Sequence, residues 1–233
     1  MSAPLFRLAS ALASHPDGDG RRRLREAMEA LGPAARGPEA ATLAAAAREL
    51  AHGEGDDLES SWIERFDRGV AANPLHETGY ERARGFAVGE RLADVAGFYR
   101  AFGVEPVAGE RLDHLAVELE FYGWLLAQQE FLDHAEDEEG SEIVTDGRRK
   151  FLAAHLAPLA LAVATRPGVA AGPFAAAFAA IADLVVAECA RLGVDAVPLE
   201  LGLTGREEPE EMNCAVAPER PAGGGRLPVV DSA

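Results

Sequence analysis

Residues 109–136 read GERLDHLAVELEFYGWLLAQQEFLDHAE, and their spacing decides the fold. Leu115, Leu119, Tyr122 and Leu126 recur at i, i+4, i+7 and i+11, an apolar stripe with the period of an α-helix. His114, Glu118, Phe121 and Leu125 form a second stripe beside it. Apolar surface on adjoining faces predicts one long, mostly buried helix whose N-terminal end turns toward something polar. Asp113 is placed to cap that end or to complement the positive helix terminus. Glu110, Asp113, His114 and Glu118 gather acid and imidazole groups within about two helical turns, roughly 12 Å at 1.5 Å per residue. On spacing alone this set reads either as an N-cap with solvated charges or as a polar binding doorway.

The rest of the chain agrees with a helical protein. Alanine is abundant, β-branched residues are sparse, and runs with strand alternation are absent, so the expected fold is all-α, a single-domain multi-helix bundle. A chain of 233 residues is long enough for one domain that buries roughly 70–75% of its unfolded surface. The predicted division is a helical domain over 1–202 and an acidic, Pro- and Gly-rich, partly flexible tail over 203–233. The formal charge of −17 repels nucleic acid and anionic lipid, and attracts a cationic segment instead. Cys189 and Cys214 make neither a disulfide framework nor a metal-ligand spacing, which fits a reducing compartment. The N-terminus lacks a basic region followed by an apolar core, so no signal peptide is expected. The apolar stretch 151–182 is split by Arg166, Pro167, Gly168, Gly172 and Pro173, so no membrane segment is expected.

Taken in order, helices are predicted over 4–14, 21–31, 38–51, 58–66, 81–102, 148–163 and 173–192, besides the central one. The breaks fall at Gly32-Pro33, at the acidic loop 53–57, at Gly103 and at 167–173. Trp62 and Phe66 lie one turn apart, which ordinarily means core packing. Residues 73–80 form a loop, the acidic stretch 133–142 reads as a solvated helix end or loop, and Pro158 is expected to kink or restart its helix.

Several of these segments, in this order, resemble the TorD/DmsD family of redox-enzyme maturation chaperones for molybdenum enzymes. Glu110-x-x-Asp113-His114 followed by Leu-Ala-Val-Glu-Leu-Glu-Phe is similar to the family signature Glu-Pro-x-Asp-His, with Arg111 at the proline position. Trp62-Ile-Glu-Arg-Phe66 matches an aromatic-x-x-x-Phe segment, with Arg65 where leucine is usual. Glu77 and Tyr80 match polar and aromatic positions of a Pro-Tyr-Glu-Ser-x-Tyr-like loop. Residues 93–103 resemble the helix-to-loop segment before the signature, and Phe151-Leu-Ala-Ala-His155-Leu-Ala-Pro158 resembles a late helix.

A search for catalytic sets finds none. One Glu-x-x-His pair, Glu49 to His52, is too few for a di-iron bundle. Zinc helices, Cys-x-x-Cys, phosphate-binding loops, dinucleotide fingerprints and serine elbows are all missing. The reading is therefore a protein that is not an enzyme, with no catalytic residue, metal or cofactor. The resemblance implies a cytoplasmic chaperone, monomer or homodimer. It would bind the twin-arginine signal peptide or immature body of a molybdopterin-containing oxidoreductase subunit and assist cofactor insertion before export. A helical groove with carboxylates at one end and aromatics along it complements a leader that has a cationic end and an apolar helix. The expected binding residues are Glu110, Asp113, His114, Glu118, Trp62, Phe66, Glu77 and Tyr80. Glu110, Asp113 and Glu118 would meet guanidinium groups, and His114 would set the loop or tune binding with pH. The alternative is a helical adaptor or regulator that binds a folded partner and takes no part in enzyme maturation.

Overall fold

Helical hydrogen bonding organises the described chain almost throughout. The computed structural model describes residues 2–32, 36–53, 55–67, 73–80, 85–105, 109 and 111–201. Its helices are α1 (Ala3–Leu12), α2 (Gly18–Leu31), α3 (Pro38–His52), α4 (Gly55–Trp62), α5 (Gly85–Ala101), α6 (Leu115–His134), α7 (Glu138–Phe151), α8 (Ala157–Ala164), α9 (Pro167–Ala170) and α10 (Ala175–Leu192). A π-turn, Ile63–Asp67, extends α4; a second, Leu152–Leu156, joins α7 to α8; a single 3-10 turn spans Glu77–Gly79. Among the described residues there is no strand, only an isolated antiparallel bridge between His76 and His114. The fold is all-α and single-domain. The expected tail, 203–233, lies outside the described residues.

The central stripe is the core. Leu115, Leu119, Tyr122 and Leu125 of α6 have no solvent exposure. Helix α1 lies along α6, with the Phe6 and Tyr122 rings 4.7 Å apart. The α5 aromatics close the other side, Tyr99 against Phe121 at 4.5 Å and Phe98 against Phe151 at 5.4 Å. Helix α10 packs on α3 and α8 and ends at Gly193, whose left-handed backbone (φ 64°) is the glycine-favoured helix stop. One ionic knot ties α6, α7 and α10. The buried Glu188 carboxylate accepts from Tyr122 Oη at 2.7 Å, from Arg191 at 2.7 and 2.8 Å, and from the buried Arg148.

Several boundaries differ from the sequence expectation, each for a local reason. Helix α2 starts at Gly18, three residues before the predicted start, because the Asp17 side chain caps it by accepting from Gly20 N at 2.7 Å. The acidic stretch after His134 is the first turn of α7. Asp137 caps it through Gly140 N at 3.0 Å, and Glu138 and Glu139 complement the helix dipole. The central helix starts at Leu115, because the chain before it turns to pair with residues 75–77. Pro158 restarts its helix, as expected, since α8 begins after the π-turn with proline in its first turn.

Candidate functional site

The polar end of α6 is built from two segments that pair by backbone. Leu115 N donates to Leu75 O at 2.8 Å, and Glu77 N donates to Asp113 O at 3.0 Å. These bonds fix residues 75–78 against 113–115. Gly79 is required there, since a Cβ on it would collide with the Pro74 ring. Tyr80 is buried and donates its hydroxyl to Pro74 O at 3.2 Å, closing the loop on itself. Tyr99 of α5 donates to Leu112 O at 2.8 Å, so α5 holds the same turn from the other side.

Asp113 is not the cap of α6. Its carboxylate is fully buried and accepts from Thr78 N at 2.9 Å and from Thr78 Oγ1 at 2.5 Å. Arg111 stands over it, with Nε 3.4 Å from Oδ1 and Nη2 donating to Thr78 Oγ1 at 2.8 Å. Burial opposes its ionisation, but the Thr78 hydrogen bonds and the Arg111 charge prevail and hold it below the usual carboxylate range. The cap is His114. Its Nδ1 accepts from Ala116 N at 3.1 Å, so the neutral ring carries its proton on Nε2. Burial, then the neighbouring charge of His76, pushes His114 down to about 4. The imidazole is therefore neutral at physiological pH and serves as a helix cap.

Behind this turn lies a deeper cluster. Glu77 and Glu118 are both without solvent exposure. Glu77 Oε1 meets His155 Nδ1 at 2.8 Å, and its Oε2 lies 3.1 Å from Arg91 Nε. His155 is fully buried at the π-turn, and its Nε2 faces Asp94 of α5 at 3.3 Å. The widened turn departs from the α-helical register at the residue whose imidazole enters the cluster, the common use of a π-turn at a functional position. Glu118 receives no hydrogen bond from any N–H or hydroxyl. Burial first, then the Glu77 carboxyl beside it, raise Glu118 well above the carboxylate range. It thus holds its proton more tightly than an ordinary carboxyl, and neither of its oxygens has a hydrogen-bond partner. Two carboxyl groups, one imidazole and one guanidinium share the site.

Not all the predicted residues meet there. Glu77, Asp113, His114 and Glu118 do, with Tyr80 on the edge of the same loop. Trp62 and Phe66 belong to another cluster, packed on Phe174 and Phe178 of α10, with Trp62 to Phe174 at 5.2 Å and Phe66 to Phe178 at 5.5 Å. Both are buried, so they are core in this state. Glu110 lies outside the described residues. The sequence reading missed Thr78, Arg91, Asp94 and Arg111 as members of the set. His155 stood in a quoted motif without a role. No local signal marks Arg91 or Asp94, because helix spacing says nothing about a partner in another segment.

The arrangement holds charged groups inside the protein. Among the described residues no group of three or more His, Cys, Asp or Glu is placed to hold a metal ion. A protein-family model described as nitrate reductase delta subunit matches residues 29–163. The chain belongs to that family. The nitrate reductase delta subunit family is one of molybdoenzyme maturation chaperones, not of catalysts, in agreement with the TorD/DmsD resemblance. The matched region includes Glu77, Arg91, Asp113, Glu118 and His155, the whole of the polar cluster. No curated protein matches the chain. No helix among the described residues is long and apolar enough to cross a membrane.

Proposed function

We propose that this nitrate reductase delta subunit family member binds, in the cytoplasm, the twin-arginine signal peptide of a molybdopterin-containing oxidoreductase subunit, or the immature subunit itself. It holds that client while the cofactor is inserted, before export. The family match over 29–163 carries this reading, and the polar cluster falls among the matched residues. The charge of −17 supports it, since an acidic surface steers a cationic leader. The carboxylates Glu110, Asp113, Glu118 and Glu77 serve the arginine end of the leader, His114 sets the loop that carries them, and Trp62, Phe66 and Tyr80 serve its apolar half. Asp113, Glu118 and Glu77 are buried in the free protein, as are the three aromatics, so binding has to open both the polar cluster and the separate Trp62–Phe66 cluster.

The test is calorimetric titration of the purified chain, as a monomer or homodimer, with a synthetic leader carrying two consecutive arginines and an apolar helix. Saturable binding that weakens with added salt and vanishes when both arginines are replaced by alanine is the expected result. Equal binding of the two peptides removes the twin-arginine reading.

A further inference from the structure

The buried carboxylates of the site are not empty of cations, and this bears on how a client arginine is received. Arg91 rests on Glu77, and Arg111 rests on Asp113. In both pairs the carboxylate is fully buried while the arginine side chain is partly exposed. The Arg91 side chain is 25% exposed and that of Arg111 is 53% exposed. A carboxylate buried without a partner costs several kcal/mol, so the free protein keeps each of these two covered by a cation of its own.

Beside Glu77 the Glu118 carboxyl is fully buried, and neither of its oxygens receives an N–H. Arg91 faces Glu77 with Nε and donates Nη1 to Ala154 O at 3.3 Å. A guanidinium placed across Glu77 and Glu118 would satisfy the Glu118 oxygens, which have no hydrogen-bond partner.

We propose that Arg91 and Arg111 are internal stand-ins for the two arginines of the client, and that binding exchanges each stand-in for a client guanidinium, one on Glu77 and Glu118 and one on Asp113. The proposal rests on the twin-arginine reading above. Exchange of like for like leaves the net charge of the buried site unchanged, so no carboxylate is stripped bare and the desolvation cost is met only once. The displaced arginines already reach water and regain full hydration. The driving force is the extra hydrogen bonding at Glu118, a planar fork matched to two carboxyl groups. The same geometry selects guanidinium over ammonium, because a lysine presents a point charge without the fork.

The exchange has an experimental signature of unusual sign. Truncating a residue that merely supports the site weakens binding, whereas truncating a competitor strengthens it. We would titrate the full chain, wild type, Arg111→Gln and Arg91→Gln, with the twin-arginine leader and with the same leader carrying two lysines. Each variant is expected to bind the arginine leader about two- to fivefold tighter than wild type, the range of a partly exposed ion pair. The lysine leader is expected to bind wild type at least about tenfold more weakly than the arginine leader. Arg111 is the more exposed of the two and Arg111→Gln keeps a donor for Thr78, so this variant carries the test if Arg91→Gln fails to fold. Should wild type bind the arginine leader while neither folded variant binds it tighter, the stand-in role is overturned and the chaperone reading survives. Should no form bind any leader, both fall together.

Discussion

Glu77 and His155 meet at 2.8 Å across 78 residues of sequence, and neither has any solvent exposure. The contact joins the loop before α5 to the π-turn after α7. It therefore depends on both segments being in place, and it reports on the tertiary structure as a whole. Glu77→Ala removes the carboxylate that faces both His155 Nδ1 and Arg91 Nε. A loss of about 2–4 kcal/mol is expected, below the full cost of a broken buried pair because Arg91 is partly hydrated. Urea unfolding followed by circular dichroism measures it, and a loss below about 0.5 kcal/mol would show that the contact contributes little.

Asp113→Asn separates a loop staple from a helix cap. Asparagine caps nearly as well as aspartate, so a cap would survive the change. A buried carboxylate that accepts two bonds from Thr78 and faces Arg111 would not, and about 1–3 kcal/mol should be lost. The pH dependence has a definite sign. Asp113 is lowered from 3.8 in the folded protein, so its contribution is complete above that pH and is lost as pH falls below it. Wild type should therefore show an acid-side fall in melting temperature below about pH 4 that is shallower in Asp113→Asn.

His114 gives a second window. Its folded value, about 4, lies below the ordinary 6.5. The unfolded chain then binds more protons between these limits, so stability is full above pH 6.5 and falls as pH drops toward 4. His114→Asn keeps a side-chain acceptor for Ala116 N and removes the titration. Its stability should stay flatter than that of wild type between these two pH values, read from thermal melts in a buffer series. Parallel slopes would show that the cap does not titrate in this range.

Glu118 acts in the opposite direction. Its folded value is raised well above 4.5, so the folded state holds the extra proton and stability declines as pH rises from 4.5 through the folded value. The slope approaches about 1.4 kcal/mol per pH unit within that window. Glu118→Gln, isosteric with the protonated acid, should remove this alkaline decline and leave a more stable protein at the upper end. Urea midpoints across the window check this. A variant whose stability falls as steeply as that of wild type would place the extra proton elsewhere.

The stripe Leu115, Leu119, Tyr122 and Leu126 was legible in the sequence because helical period is a local property, and all four residues are buried in α6 as their spacing requires. Gly193 was legible as a helix stop for the same reason. The helix breakers gave the number and order of the elements closely, with errors where a side chain reached three residues ahead, as Asp17 and Asp137 do. The signature Glu110-x-x-Asp113-His114 lies at the end of α6 where the polar cluster gathers. What it assigned there was half inverted, since His114 is the cap and Asp113 the staple. Spacing along one helix cannot say that Thr78 approaches Asp113 from another segment. The cluster of Glu77, Arg91, Glu118 and His155 was invisible as a unit for the same reason. Its members are held by four different elements, and a buried charge is tolerated only where a partner from elsewhere in the chain arrives to pair with it. Sequence alone determined which segments are helical and which face each buries, because backbone hydrogen bonding and hydrophobic period act over a few residues. Which charges end up inside, and against what, was decided only when the helices packed, because Coulomb and desolvation energies depend on distance through space.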